Sequence, residues 1–578
     1  MNDDDAIQPA PDGIDQGKRL IRVGGDNGLS LAERIAERLQ RLAWRTPFHR
    51  LALSGRHPLK LIAVADDPFP GDVARGQALM KGMLTFRGER RVVDTLDLAH
   101  PDFSAPFADH LHGFDWLRDL STVATRAQAA PVAEGLMRQW LAAHADTVAD
   151  PAWRADLIGR RILEWIAHAP LILSSTDLVY RSSVLHALAR GVRHAERTAD
   201  RVPAGPARIA AWSGVVAAGL MIPGGEARRT MGEAALARAL AASITSDGGT
   251  IGRSPLGQLD ALMLLVALRE VYAARRLEAP AMVSDAITGL VAPLLGVCHG
   301  DRALASWQGS GPIAGDRIDT IIAIAGVRTR PLRQAREWGY QRLSARSTLL
   351  ILDAAPPPVA RTLADACAST LAFELSDGAE RIVVNCGGGR IASATLPAPL
   401  IQGLRSTAAH STLVLADSNS TAVLADGALG RGVTEVELVR GESDDASRID
   451  ASHDGYVRRF GFTHRRTVAL GSDGRDVRGE DLLVPAGRKR GAGDTAFAIR
   501  FHLAPHVDSA MTADGQAALL RLPGNLLWQF RCRGAGLALE ESLWVDGDGR
   551  AHPTQQLVVT GNAPPGGMSV SWWFHRSK

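Results

Sequence analysis

The period of the hydrophobic pattern changes once along this chain, near residue 340, and no other feature limits its fold so tightly. From about 105 to 340 the apolar residues recur at i, i+3, i+4 and i+7, the spacing of one buried helix face. AEGLMRQWLAAHA (133–145), ADLIGRRILEWIAHA (155–169), SSVLHALARGVRHAERTA (182–199), GEAALARALAASI (232–244) and LGQLDALMLLVALREVYAARR (256–276) all follow it, with Pro or Gly at the breaks. So many helices of similar length predict paired helices packed as a ring or solenoid. The absence of a repeat of fixed period argues against a TPR or HEAT array.

After Tyr340 the period becomes two. STLLILDA (347–354), TLAFELS (370–376), ERIVVNCG (380–387), HSTLVLAD (410–417), TEVELVRG (434–441), AFAIRFHLA (496–504), NLLWQFRCR (525–533) and QLVVTG (556–561) read as strands. Turn signals at 376–378, 472–475, 523–525 and 546–550 separate them, and Pro356–Pro358 marks a loop. An antiparallel β-sandwich follows from this pattern. With 578 residues the chain has the length for two such domains. The expected plan is a flexible tail over 1–28, then an amphipathic helix (Leu31, Ile35, Leu39 and Leu42 on one face) with a small mixed segment to 104. The helical domain occupies 105–345 and the sandwich 346–578.

Composition narrows the function. Lys and Arg total 65 against 62 Asp and Glu, a net charge of +3 that gives no support to a nucleic-acid partner. The four cysteines, Cys298, Cys367, Cys386 and Cys532, are widely spaced and suggest neither a disulfide framework nor a zinc ribbon. No charge-free run is long enough to span a membrane. The polar start MNDDDAIQPAPDGIDQGKRL does not read as a secretory signal, so the expected compartment is the cytoplasm.

Several stretches resemble the heparinase II/III family: HLHGFDWLRDL (110–120), SDGGTIGRSP (246–255), GYQRL (339–343), LAFELSDGAERIVVNCGG (371–388), AAHSTLVLADSNS (408–420), ASHDGYVRRFGFTHRRTVAL (451–470) and IRFHL (499–503). The resemblance covers roughly residues 70–575. It implies an (α/α) toroid followed by an antiparallel β-sandwich, a cleft between them, and acidic, uronate-containing polysaccharides as substrates. It also implies a possible homodimer and, by analogy, a periplasmic or cell-envelope setting. Cleavage by β-elimination needs a group that neutralises the uronate carboxylate, a base for the C5 proton and an acid for the leaving oxygen.

In such families an Asn-His pair and a Tyr of the toroid, with a His of the sandwich, supply these groups. Here the matching positions fall at Ala211, Trp212, about Gly257 and Cys367, with Thr250 where relatives often carry His. A metal site of His, Asp and His in some relatives maps to Cys367, Asn385 and His410, so no cofactor is expected and a structural divalent metal has little support. The candidates that remain are Tyr456 and His410 for acid-base work and Arg253 as a bidentate carboxylate clamp. Trp212 and Trp307, with Trp116, are candidate sugar platforms, and His453 and His464, which flank Tyr456, are candidate substrate-binding residues. Each has a plainer reading as a packed or hydrogen-bonded structural residue. Tyr340 and Arg342 are expected to fix the domain junction, Cys367 to be an inert thiol, and GRKRG (487–491) to be a solvated turn. The function expected is a lyase of acidic glycans; the alternative is a catalytically degenerate glycan-binding or scaffolding protein.

Overall fold

The computed structural model describes residues 14–22, 46–55, 57–98, 102–359, 363–425, 427–487 and 493–577, with isolated positions between 35 and 44. The helix expected over 30–42 and the basic turn at 488–491 lie outside the described residues but for single positions.

Helices alternate between an inner and an outer layer. Ala105–Gly113, Ala155–Ala167, Pro206–Met221 and Pro255–Ala274 carry apolar side chains around most of their circumference and form the inner layer. Arg126–His144, Leu178–Thr198, Glu226–Ser243 and Ala281–Gly296 bury a narrower stripe against them. This is the toroid. Its centre is closed: a Cβ on Gly159 would lie 2.0 Å from the Ala210 carbonyl oxygen, and one on Gly214 would lie 2.4 Å from Gly159 Cα. Two inner helices therefore meet backbone to backbone, which only glycine permits.

The strands are β1 (Arg19–Arg22), β2 (Met83–Phe86), β3 (Glu89–Val92), β4 (Tyr340–Ala345), β5 (Thr348–Asp353), β6 (Phe373–Asp377), β7 (Glu380–Val384), β8 (Leu413–Leu415), β9 (Glu435–Glu442) and β10 (Ala446–His453). They continue as β11 (Phe462–Gly471), β12 (Asp476–Pro485), β13 (Thr495–Leu503), β14 (Asp508–Met511), β15 (Ala517–Arg521), β16 (Leu527–Arg533), β17 (Gly536–Val545), β18 (Ala551–Ala563) and β19 (Met568–Arg576). One antiparallel sheet has the order β1-β9-β10-β11-β12-β19-β16-β15-β14. The other runs β17-β18-β13-β7-β6-β5-β4, with β8 also on β13. Aromatic rings bind the two inner faces together: Phe373 stacks on Trp572 with centroids 5.4 Å apart, and Phe501 packs on both Phe530 and Phe574.

Two expected boundaries move. Residues 19–22, placed in a flexible tail, form β1 and pair with β9 from Arg19↔Leu438 to Arg22↔Glu435. The sandwich begins at Tyr340 rather than 346, because β4 pairs with β5.

Buried polar contacts fix the junction of the two domains. Arg253 of the toroid forms an ion pair with Asp353 of β5 and donates to the carbonyls of Trp338 (2.8 Å) and Pro356 (2.7 Å). His299 contacts Glu374 Oε2 and Ser376 Oγ, each at 3.0 Å. Arg381 donates to Asp301 (2.7 Å) and to the carbonyls of Ala303 and Leu304. Tyr340 and Arg342 take the structural place expected of them: the Tyr340 hydroxyl donates to the Arg253 carbonyl (2.6 Å) and Arg342 to that of Cys298 (2.5 Å).

Candidate functional site

Where the toroid faces the sandwich, segments distant in sequence bring several guanidinium groups near one another at the surface, and this arginine-lined face is called the groove below. The β2–β3 hairpin turns at Arg87 and Gly88, Arg87 having a left-handed backbone (φ 45°). A Cβ on Gly88 would lie 2.4 Å from Thr395 Cγ2, so the hairpin tip rests against the sandwich. The loop before helix Gly315–Ala325 runs beside the sandwich segment 546–547, and that helix carries Arg317 in its first turn. Arg75, on helix Val73–Met80, donates to Asp119 (2.7 Å), and Arg390 of the sandwich pairs with Asp109 of the toroid.

Arg87 and Arg317 differ from their neighbours in having no carboxylate partner among the described residues. The Arg87 guanidinium lies 5.4 Å from the Phe86 ring centroid. Burial, and then the guanidinium groups of Arg390, Arg317 and Arg75, push its pKa down to about 10. Burial followed by Arg75 and Arg118 lowers that of Arg317. Arg317 itself is exposed at the surface. An anion entering the groove would relieve this repulsion. Below Phe86 lies His110, 2% exposed, its ring stacked on the phenylalanine at 4.3 Å. Its nitrogens stand 3.9 Å from Asp115 Oδ2 and Asp119 Oδ2, beyond hydrogen-bond distance.

A family model described as Heparinase II/III-like, C-terminal, matches residues 327–573. The chain is 30% identical over 557 residues to FtsZ-localized protein C of Caulobacter vibrioides (strain NA1000 / CB15N), covering 91% of this chain and 92% of that protein. The chain belongs to the heparinase II/III-like family. Its fold is that of a crystal structure of heparinase III, with a TM-score of 0.67 at 12% identity over 96% of this chain and 93% of that one. A heparan sulfate lyase mutant from Pedobacter heparinus gives a TM-score of 0.58 at 13% identity, over 92% and 87%. At such identities the likeness to these lyases carries the fold alone.

In this heparinase II/III-like protein the residues expected to do chemistry lie inside the domains. Tyr456 is in the sandwich core, its hydroxyl donating to the Leu413 carbonyl (2.9 Å), and burial raises its pKa. The other tyrosines, Tyr180, Tyr272 and Tyr340, are buried as well, so no phenol reaches the groove. His410 is buried with Nδ1 2.7 Å from the Ser406 carbonyl oxygen. Arg253 is committed to Asp353 and two carbonyls, which leaves no free fork for a uronate. His453 and His464 face each other across β10 and β11. Gly455 N–H donates to His453 Nδ1 (3.1 Å), His453 Nε2 to His464 Nδ1 (3.1 Å), and His464 Nε2 to Asp481 (2.7 Å). That chain ends in the Arg466–Asp481 pair, deep in the sandwich.

Nor do the tryptophans offer platforms. Trp212 is buried with Nε1 donating to Asp200 (2.9 Å), Trp307 packs 5.2 Å from Tyr340, and Trp116 donates to the Leu111 carbonyl (3.3 Å). The positions of the metal site found in some relatives do not fit a metal. Asn385 is held between Glu374 Oε1 (3.0 Å) and the Ser411 N–H (3.0 Å), and burial pushes the Cys367 thiol up to about 11. Asp67, Glu164 and His168 do converge, but the Arg118 guanidinium already bridges Asp67 and Glu164 at 2.6 Å each.

Sequence reasoning missed the groove. The stretch HLHGFDWLRDL (110–120) was visible, yet nothing in the sequence pointed to Arg87, Arg317 or His110 as a group, which only tertiary folding brings together.

Proposed function

We propose that this protein is a non-catalytic member of its family, an anionic-glycan-binding or scaffolding protein built on a lyase fold. One observation carries the reading: the positions where the family resemblance puts acid, base and carboxylate-neutralising groups hold Ala211, Trp212, Gly257 and Cys367, and the substitutes Tyr456, His410 and Arg253 are sealed inside the domains. Proton transfer requires hydrogen-bond reach to the substrate, and none of the three has it. Arg87 and Arg317 remain free to attract sulfate or carboxylate groups. The likeness to an FtsZ-localized protein supports the scaffolding alternative.

The test pairs two measurements on the same preparation. Incubation with heparan sulfate, hyaluronan, alginate and bacterial exopolysaccharides should produce no ultraviolet absorbance from an unsaturated uronate. Retention on immobilised heparin should persist, and should weaken in Arg87→Ala and Arg317→Ala. Unsaturated product overturns the reading.

A further inference from the structure

We propose that Arg161, His112 and His144 form a buried binding site for a small monovalent inorganic anion such as chloride, inside the toroid and separate from the groove. Arg161 lies on the inner helix Ala155–Ala167 and is 3% exposed. Its Nη1 donates to the carbonyls of His112 (3.2 Å) and Ala152 (2.9 Å). Among the described residues no carboxylate pairs with it, and its side-chain hydrogen bonds are those two from Nη1. The guanidinium lies 4.5 Å from the Trp140 ring centroid and 5.7 Å from that of Trp165. Arginine keeps its proton, so the toroid holds a cation that two carbonyls and two aromatic faces offset only in part.

The groups around it are short of acceptors. Trp140 Nε1 donates to His112 Nδ1 (3.1 Å), which fixes the His112 proton on Nε2, and that buried Nε2–H has no partner. His144, whose ring centroid is 5.0 Å from that of His112, also has an unpartnered Nε2, and so does Trp165 at Nε1. His112 Nε2–H and Trp165 Nε1–H can only donate, and His144 Nε2 donates in one of its two tautomers. A cation is excluded by the fixed charge. Water could accept two of these hydrogens but would leave the charge uncompensated, whereas a halide answers both needs.

Crystals of the full chain grown in bromide give the direct test. The expected result is anomalous density within hydrogen-bonding distance of Arg161 and His112 Nε2. In solution, chloride should raise the urea midpoint above that in gluconate at equal ionic strength, and Arg161→Met should erase the difference. If that variant does not fold, His112→Phe serves in its place. Bromide crystals without anomalous density at the site overturn the proposal, as does a chloride effect that survives both substitutions.

Discussion

Replacing Arg253 by methionine separates the structural role seen here from the substrate clamp the sequence suggested. The ion pair with Asp353 is almost fully buried, with 6% of the arginine and none of the aspartate side chain exposed. Methionine fills much of the same space but leaves the Asp353 carboxylate with Ser369 Oγ (2.7 Å) as its remaining side-chain donor. It also orphans the carbonyls of Trp338 and Pro356 and removes the cation that sits 5.0 Å from the Tyr340 ring. Breaking one side of a buried pair costs about 3–5 kcal/mol. For a domain the size of the sandwich, about 2–4 °C of midpoint is lost per kcal/mol, so the expected fall is roughly 6–20 °C. Because the pair joins toroid to sandwich, calorimetry should also show the unfolding endotherm splitting or broadening. Arg253→Lys, with charge but no planar fork, should fall between the two. Retention on heparin at a temperature where the variant is folded should be unchanged. An unaltered thermogram together with lost retention would refute the structural assignment and restore Arg253 to the binding site.

Other expectations follow from particular contacts. Arg87→Ala and Arg317→Ala should elute from heparin at lower salt while shifting the thermal midpoint little, because neither side chain has an ion-pair partner to strand. Burial lowers the pKa of His453, His464, His410 and His502, the last to about 3. The unfolded chain then binds more protons than the native one, so the stability they support is complete above about pH 6.5 and declines as pH falls from there; urea midpoints at pH 7.5 and pH 5 check the sign. Burial raises all four thiols, Cys298 and Cys386 to about 12 and Cys367 to about 11. A thiol reagent should therefore leave the native protein unmodified and react fully once it is denatured. Gly159→Ala, which drives a methyl into the Ala210 carbonyl, should cost more than the about 1–3 kcal/mol of ordinary overpacking and show first as insoluble expression.

What could be read without a structure was whatever repeats locally. A helix face and a strand face recur within a few residues, so the alternation of helices and the eight strands named from the pattern are present, though β8 shrinks to three residues. The resemblance carried the architecture further, to toroid plus sandwich. The direction in which a polar residue points on a strand is not local in this sense. His453 and His464 fall directly opposite each other in the β10–β11 ladder, so they share a face, and that face is the buried one. Tyr456 follows a turn whose geometry sends the ring inward to Leu413 rather than outward. The groove was still less accessible, since Arg87, Arg317 and Arg390 come from a hairpin, a helix start and a sandwich loop.

The contacts that hold Arg253 inside the molecule also join the two domains. Arg253–Asp353, His299–Glu374 and Arg381–Asp301 are strict in geometry, and a hydrophobic junction of equal area would allow the two domains to slide where these do not. The spacing of Arg87 and Arg317 on the toroid from Arg390 on the sandwich is therefore set by the junction, not by the groove itself. Under the proposed binding role this rigidity matters, because fixed charges keep their mutual repulsion for an anionic ligand to relieve instead of losing it to rearrangement. Arg253, in a stretch that resembles the lyases, fastens this junction through Asp353 and the carbonyls of Trp338 and Pro356, and its rigidity is what holds the two sets of arginines at a fixed separation.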